Sequence, residues 1–177
     1  MLNACEPAAE PCSGAALTVN PAALNFGDVR RRAPEDPGDP TTRDQVPSRR
    51  VLLIENTCTP PLALSEICIV LDAHNGVEGN PAFFLEPPER LTVRVGEPAA
   101  LRITYDHVDP NEDRDADGFR DVDRALLVIQ SNATNAPTQV VPLCGRILGD
   151  ADEVDTQPCP APFTIPPGER IADLCDR

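Results

Sequence analysis

Between residues 17 and 145 the chain repeats one arrangement, a short apolar run followed by a turn signal. The runs cover 17–21, 24–29, 50–56, 91–96, 101–105, 125–132 and 140–145. They are too short and too closely punctuated for long amphipathic helices. They predict an all-β chain folded as a β-sandwich, with everything else on its edges and loops. The 21 prolines agree, since each removes a backbone donor and suits turns and edge strands. Aromatic residues make up only 3% and Trp is absent, so the core must be built from Val, Leu and Ile. Such a core suits a sandwich better than a deep aromatic ligand pocket.

Three segments follow from the pattern: a tether over 1–14, one sandwich domain over 15–148, and an acidic linker with a C-terminal tail over 149–177. The first strand is interrupted at Pro21, and its second half, 24–29, is expected to switch to the other sheet. Residues 30–48 lack apolar periodicity and read as an exposed insert. Its Arg30, Arg31 and Arg32 are either a docking site for acidic groups or a solvated run balanced by Glu35, Asp36 and Asp39. Further strands are expected over 49–56, over 62–71 with Leu64, Ile67 and Ile69 facing the core, from 91, from 100, from 125, and over 138–147. The segment 80–85 reads as an aromatic plug before Pro87 and Pro88, in which Phe83 and Phe84 are either an exposed binding patch or, as expected here, a pair with at least one ring buried. There is no heptad pattern and no internal repeat.

A net charge of −14 argues against nucleic acid, whose phosphates it would repel, and against docking on anionic lipid. Every one of the 15 basic residues is Arg, which fits a GC-rich genome. Seven cysteines in 177 residues point to an oxidising compartment. Cys5, in Leu2-Asn3-Ala4-Cys5, resembles a bacterial lipobox, whose cysteine is lipidated. Setting it aside leaves Cys12, Cys58, Cys68, Cys144, Cys159 and Cys175, an even set of disulfide candidates. The lipoprotein reading requires a signal segment upstream of Met1; the alternative is a spare thiol behind an ordinary initiator. Cys159 and Cys175 are close enough in sequence to close a small loop. No stretch approaches the ~20 apolar residues of a membrane helix.

The densest chemistry lies over 106–123, where eight acidic residues face two Arg. Asp113, Asp115 and Asp117 stand at positions one, three and five of a loop, where carboxylates converge on one hard cation. Gly118 permits the sharp turn, Phe119 can offer its carbonyl, and Asp121 can bind directly or through water. This is the calcium loop of EF-hands, dockerins and thrombospondin-type repeats up to its last position, where Arg124 replaces the bidentate Glu. Asp123 beside it is the candidate substitute. The alternative is a solvated acidic connection in which Gly118 only makes a turn. Calcium would have a structural role, relieving the mutual repulsion of the packed carboxylates.

Taken in order, Leu24-x-Phe26-Gly27-x-Val29, Arg50-x-Leu52-x-Ile54-x-Asn56, Phe83-Phe84, Val95-Gly96, Ile103-x-Tyr105, Leu127-x-Ile129-x-Ser131-Asn132 and Val141-x-Leu143-x-Gly145 resemble the ASH/MSP-type immunoglobulin-like domain. Such domains occur in bacterial "choice-of-anchor D" proteins. The resemblance implies a seven-stranded immunoglobulin-like β-sandwich, a secreted or surface-anchored setting, and no catalytic residues. In such a sandwich Cys12 would meet Cys58 and Cys68 would meet Cys144, leaving Cys159 for Cys175. The long first insert, the cysteines and the acidic loop depart from the family's pattern, so any specific function is expected there.

The remaining chemistry is sparse. His74 and His107 are the only histidines, and one His beside carboxylates is more often a surface residue than a metal ligand. No Gly-x-Ser-x-Gly, Walker loop or His-Glu-x-x-His is present, and paired carboxylates without a cleft do not make a glycosidase. The sequence therefore predicts a non-enzymatic cell-envelope module with an adhesion, scaffold or assembly role, whose partner is a protein or a surface glycan. The competing expectation is a soluble secreted domain that binds glycans or peptides through the first insert.

Overall fold

The computed structural model describes residues 12–30, 48–71, 82–106, 121–148, 170 and 175. Among these residues there are nine strands and no helix: β1 (Leu17–Asn20), β2 (Leu24–Arg30), β3 (Ser48–Asn56), β4 (Leu62–Leu71), β5 (Phe83–Glu86), β6 (Thr92–Val93), β7 (Ala99–Tyr105), β8 (Asp123–Ser131) and β9 (Thr138–Leu148). They form a four-stranded sheet, β1-β3-β7-β5, and a five-stranded sheet, β2-β9-β8-β4-β6. Removing β2 and β6 leaves the two-sheet strand order of an immunoglobulin-like sandwich. Every pairing is antiparallel except β2 with β9, which run parallel.

The first strand divides as expected, β1 joining one sheet and β2 the other across a cis Asn20–Pro21 peptide. Two other points correct the seven-strand expectation. Phe83–Glu86 is not a plug but a strand, β5, paired with β7 and turning Phe83 and Leu85 inward. Conversely, the run over 91–96 yields only the two-residue β6, followed by a tight reversal in which Arg94 bridges Glu97 around Gly96, at φ 77°. Only Val93 of that run is buried; Leu91 and Val95 point to solvent.

Alternation places Leu52 and Ile54 of β3, Leu101 and Ile103 of β7, and Leu127 and Ile129 of β8 between the sheets. On β4 the phase changes midway, because Leu62 and Leu64 face the core while Ile67 and Ile69 do so farther along. A bulge between Leu64 and Glu66 accommodates Ser65 and reverses the phase. A comparable shift in β2 lies between Asn25 and Asp28. There Gly27 adopts φ 70° and its N–H is accepted by Asn25 Oδ1 at 2.7 Å. Leu24 and Phe26 precede the shift and Val29 follows it, all three against the core.

One pole of the sandwich is closed by asparagines. Buried Asn56 accepts from the N–H groups of Ala16 (3.3 Å) and Cys58 (3.1 Å) and donates to the carbonyls of Pro60 (2.7 Å) and Val93 (3.1 Å). Asn135 imitates a strand neighbour for Leu17, accepting from its N–H and donating to its carbonyl, each at 2.9 Å. Asn132 treats Ala63 N–H (2.8 Å) and Pro61 carbonyl (3.3 Å) likewise. The Cys12–Cys58 disulfide closes the same end. Asn56→Ala is expected to cost more than about 2 kcal/mol, because it orphans several buried backbone groups at once. Asn132→Ala, at an exposed site, is expected to cost less than about 1 kcal/mol. Urea unfolding of both variants checks this difference.

Candidate functional site: the pole that carries the long connections

The opposite pole gathers the ends of β2, β4, β7 and β9 with the starts of β3, β5 and β8. The register establishes this: Arg30 lies beside Leu148, Ser48 and Phe83 each beside Tyr105, and Leu71 beside Ala125. Residues 31–47, 72–81 and 107–120 therefore all depart from and return to this one end. The chain after Leu148 leaves from it too.

Among the strand ends at this pole sits an aromatic cluster. Phe83 and Tyr105 of the four-stranded sheet pack with ring centroids 4.8 Å apart, and Phe26 reaches across from the other sheet to within 5.6 and 5.7 Å of them. Arg50 bridges the sheets above it, its guanidinium 6.0 Å from the Phe26 centroid and its Nε donating to Asn25 carbonyl at 3.3 Å. Tyr105 lies over the β8–β9 pair formed by Asp123 and Gly145. A β-carbon on Gly145 would stand 2.7 Å from the Tyr105 ring, so no larger residue fits without displacing it. The phenol donates to Asp123 Oδ2 at 2.6 Å, tying the end of β7 to the start of β8. Outside the core, Arg146 grips Asp28 in a two-pronged pair at 2.9 and 2.8 Å, on neighbouring strands and nearly buried. The buried polar side chains among the described residues, Asn56, Asp123 and Arg146, are thus each engaged by a structural partner.

The predicted calcium ligands divide between two groups. Asp113, Asp115, Asp117 and Phe119 lie outside the described residues, as do Cys5, Cys159, His74, His107, Arg31 and Arg32. Asp121 precedes β8, and Asp123 opens it, buried and turned toward Tyr105. Among the described residues no three His, Cys, Asp or Glu side chains come together as a metal-binding group.

The cysteines correct the expected pairing. Cys12 joins Cys58, as the resemblance implied, but Cys68 joins Cys175, with Cα atoms 5.6 Å apart. Neither Cys68–Cys144 nor Cys159–Cys175 can therefore form. The register explains the first exclusion. Cys68 lies opposite Val128, Val128 opposite Val140, and Cys144 opposite Arg124. The two cysteines are therefore two strands and four residues apart, about 10 Å across the sheet and about 13 Å along it, far beyond the ~6 Å a disulfide spans. Cys144 is itself disulfide-bonded, to a cysteine outside the described residues. The closures at Cys12–Cys58 and Cys68–Cys175 span 46 and 107 residues. On a loop-entropy basis they are worth about 4 and about 5 kcal/mol. Such bonds mark a chain that matures in an oxidising, extracytoplasmic environment. No helix among the described residues is long and apolar enough to cross a membrane.

No family model matches the chain, and no curated protein does. Solved structures do resemble it. A protein of unknown function from Porphyromonas gingivalis W83 superposes with a TM-score of 0.50 at 19% identity, over 79% of this chain and 50% of that one. The secreted serine protease VesC of Vibrio cholerae gives 0.46 at 12% identity, over 76% of this chain and 23% of the protease. The ASH/PapD-like domain 7 of human CEP192 gives 0.42 at 14% identity, over 81% of this chain and 92% of that domain. The chain thus spans half the length of the Porphyromonas protein and about a quarter of VesC. At these identities the first of these likenesses speaks to the fold alone.

Two substitutions test the clasp in denaturant titrations. Gly145→Ala is expected to lose about 1–3 kcal/mol by overpacking against Tyr105. Tyr105→Phe, which keeps the ring but strips Asp123 of a buried donor, is expected to lose about 1–3 kcal/mol.

Proposed function

We propose that this chain is a non-enzymatic binding module of the bacterial cell envelope, displayed on a lipid at Cys5, which recognises a protein or surface glycan through the pole carrying its long connections. The observation that carries this reading is the convergence of the segment ends. The strand ends that lead into and out of 31–47, 72–81 and 107–120 all lie at the pole of the Phe26–Phe83–Tyr105 cluster. Binding residues commonly sit on connections held by a stiff scaffold, and two of these, the first insert and the acidic connection, depart from the pattern the chain resembles. Adhesion, scaffolding or assembly is the role such a module would serve. β5, an edge strand among the described residues, offers a further contact by strand addition.

Within that pole, Asp113, Asp115, Asp117, the Phe119 carbonyl, Asp121 and Asp123 would hold one calcium ion, and Asp123, whose Oδ2 accepts from Tyr105, would also anchor the exit of the loop to the core. The ion's role is to order the connection, not to activate water. The competing reading is a soluble secreted domain using 31–47 to bind glycans or peptides; the return of that Arg-bearing segment to the same pole favours it.

Melting the oxidised protein in about 10 mM calcium against chelator is expected to show a rise of about 3–6 °C for a millimolar site, abolished by Asp113→Ala with Asp117→Ala. No shift would return the acidic run to a solvated loop. Cys5 is decided separately. With a native leader, mass spectrometry of the N-terminal peptide from the membrane fraction should find diacylglycerol on Cys5, lost in Cys5→Ser. An unmodified thiol in the soluble fraction would favour the secreted reading.

A further inference from the structure

The outward face of the five-stranded sheet is closed although nothing in the sandwich core reaches it. Along β8, Ala125, Leu127 and Ile129 face the core, so Leu126 and Val128 must point the other way. A bare outward face would expose them, yet they retain only 3% and 0% of their accessible surface. The same holds on β9. Val141, Leu143 and Ile147 point inward, while Cys144, Arg146 and Leu148 point outward and are equally buried. The other sheet behaves as a bare face should: outward Val51 and Phe84 are 48% and 43% exposed.

Both ends of one segment are fixed on the closed face. Leu148 ends β9 there, and Cys175 is bonded to Cys68, the direct neighbour of Val128 in the ladder. The 26 residues between them have to cover about 10 Å across the sheet, from β9 to β4, and about 26 Å along it, under about 30 Å in all, so they have chain to spare. They also carry apolar side chains suited to a dry contact: Val154, Phe163, Ile165, Ile171 and Leu174. A second anchor is available. Cys144 projects from this face and is disulfide-bonded to a cysteine outside the described residues. With Cys12, Cys58, Cys68 and Cys175 already paired, only Cys5 and Cys159 remain.

We infer that residues 149–174 dock across the outward face of the five-stranded sheet over Leu126, Val128 and Leu148, latched by Cys144–Cys159 in the middle and Cys68–Cys175 at the end. The segment is then a third layer of the domain, and the outward face of the five-stranded sheet is closed to a partner. The inference stands apart from the recognition reading, since the face could be self-covered whatever the pole binds.

Two measurements on the intact, oxidised chain decide it. In a methyl-labelled sample, the Leu126 and Val128 methyl groups are expected to give nuclear Overhauser contacts to protons of residues 149–174. Contacts only to residues 31–47, or to no segment, would overturn the docking. Peptide mapping without reduction should recover a Cys144–Cys159 pair alongside Cys68–Cys175. A Cys144–Cys5 pair would refute the central latch.

Discussion

The contact on which the rest of this structure depends is the Tyr105 ring lying on Gly145. A sandwich with few aromatic side chains holds its sheets together mainly through aliphatic burial, which is strong but non-directional. Tyr105 adds direction. Its ring fills the space a side chain at position 145 would take and packs tilted against Phe26 and Phe83, and its hydroxyl holds Asp123 at the start of β8. One residue thereby sets the separation of the sheets and the point where the acidic connection re-enters the core. Asp123 can be buried because that hydroxyl meets it; without a donor, its desolvation would oppose the fold.

The two poles are held by different chemistry. At one, asparagines stand in for backbone partners and a disulfide closes the chain, leaving short turns. At the other, packed rings make a stiff floor beneath the strand ends that lead into the long connections. The two faces differ as well. The outward residues of β8 and β9 are buried, whereas Val51 and Phe84 on the other sheet meet solvent. This division of labour separates the parts that hold the domain together from the parts left to contact something else.

Much of this was legible in the sequence, and the misses have physical causes. The Pro21 break showed that the first strand would change sheets. The mixed spacing of Leu64, Ile67 and Ile69 was the trace of the bulge at Ser65. The uninterrupted apolar run at 125–129 is the mark of a strand buried on both faces, which a two-layer sandwich alone does not require. Phe83 and Leu85 alternate as a strand should; the adjacent Phe84 and the prolines that follow hid it. The run at 91–96 alternates too, but the reversal at Gly96 leaves only Val93 a place in the core. The cysteine count suggested disulfides, yet pairing depends on register and on where the tail returns, neither of which spacing encodes. The asparagine closures and the Arg146–Asp28 pair are not legible in the sequence, since most of their contacts join residues far apart in the chain. The proposed calcium ligands 113–119 lie outside the described residues, and their re-entry at Asp123 is the part the structure places.

The central claim, that Tyr105 clasps the two sheets over Gly145, has a direct spectroscopic signature. The α-protons of Gly145 should resonate strongly upfield of ordinary strand glycines because the ring current acts on them at contact distance, and they should show cross-relaxation with the Tyr105 ring. Glycine α-protons at ordinary strand shifts, without contacts to that ring, would mean that the sheets are not joined in this way.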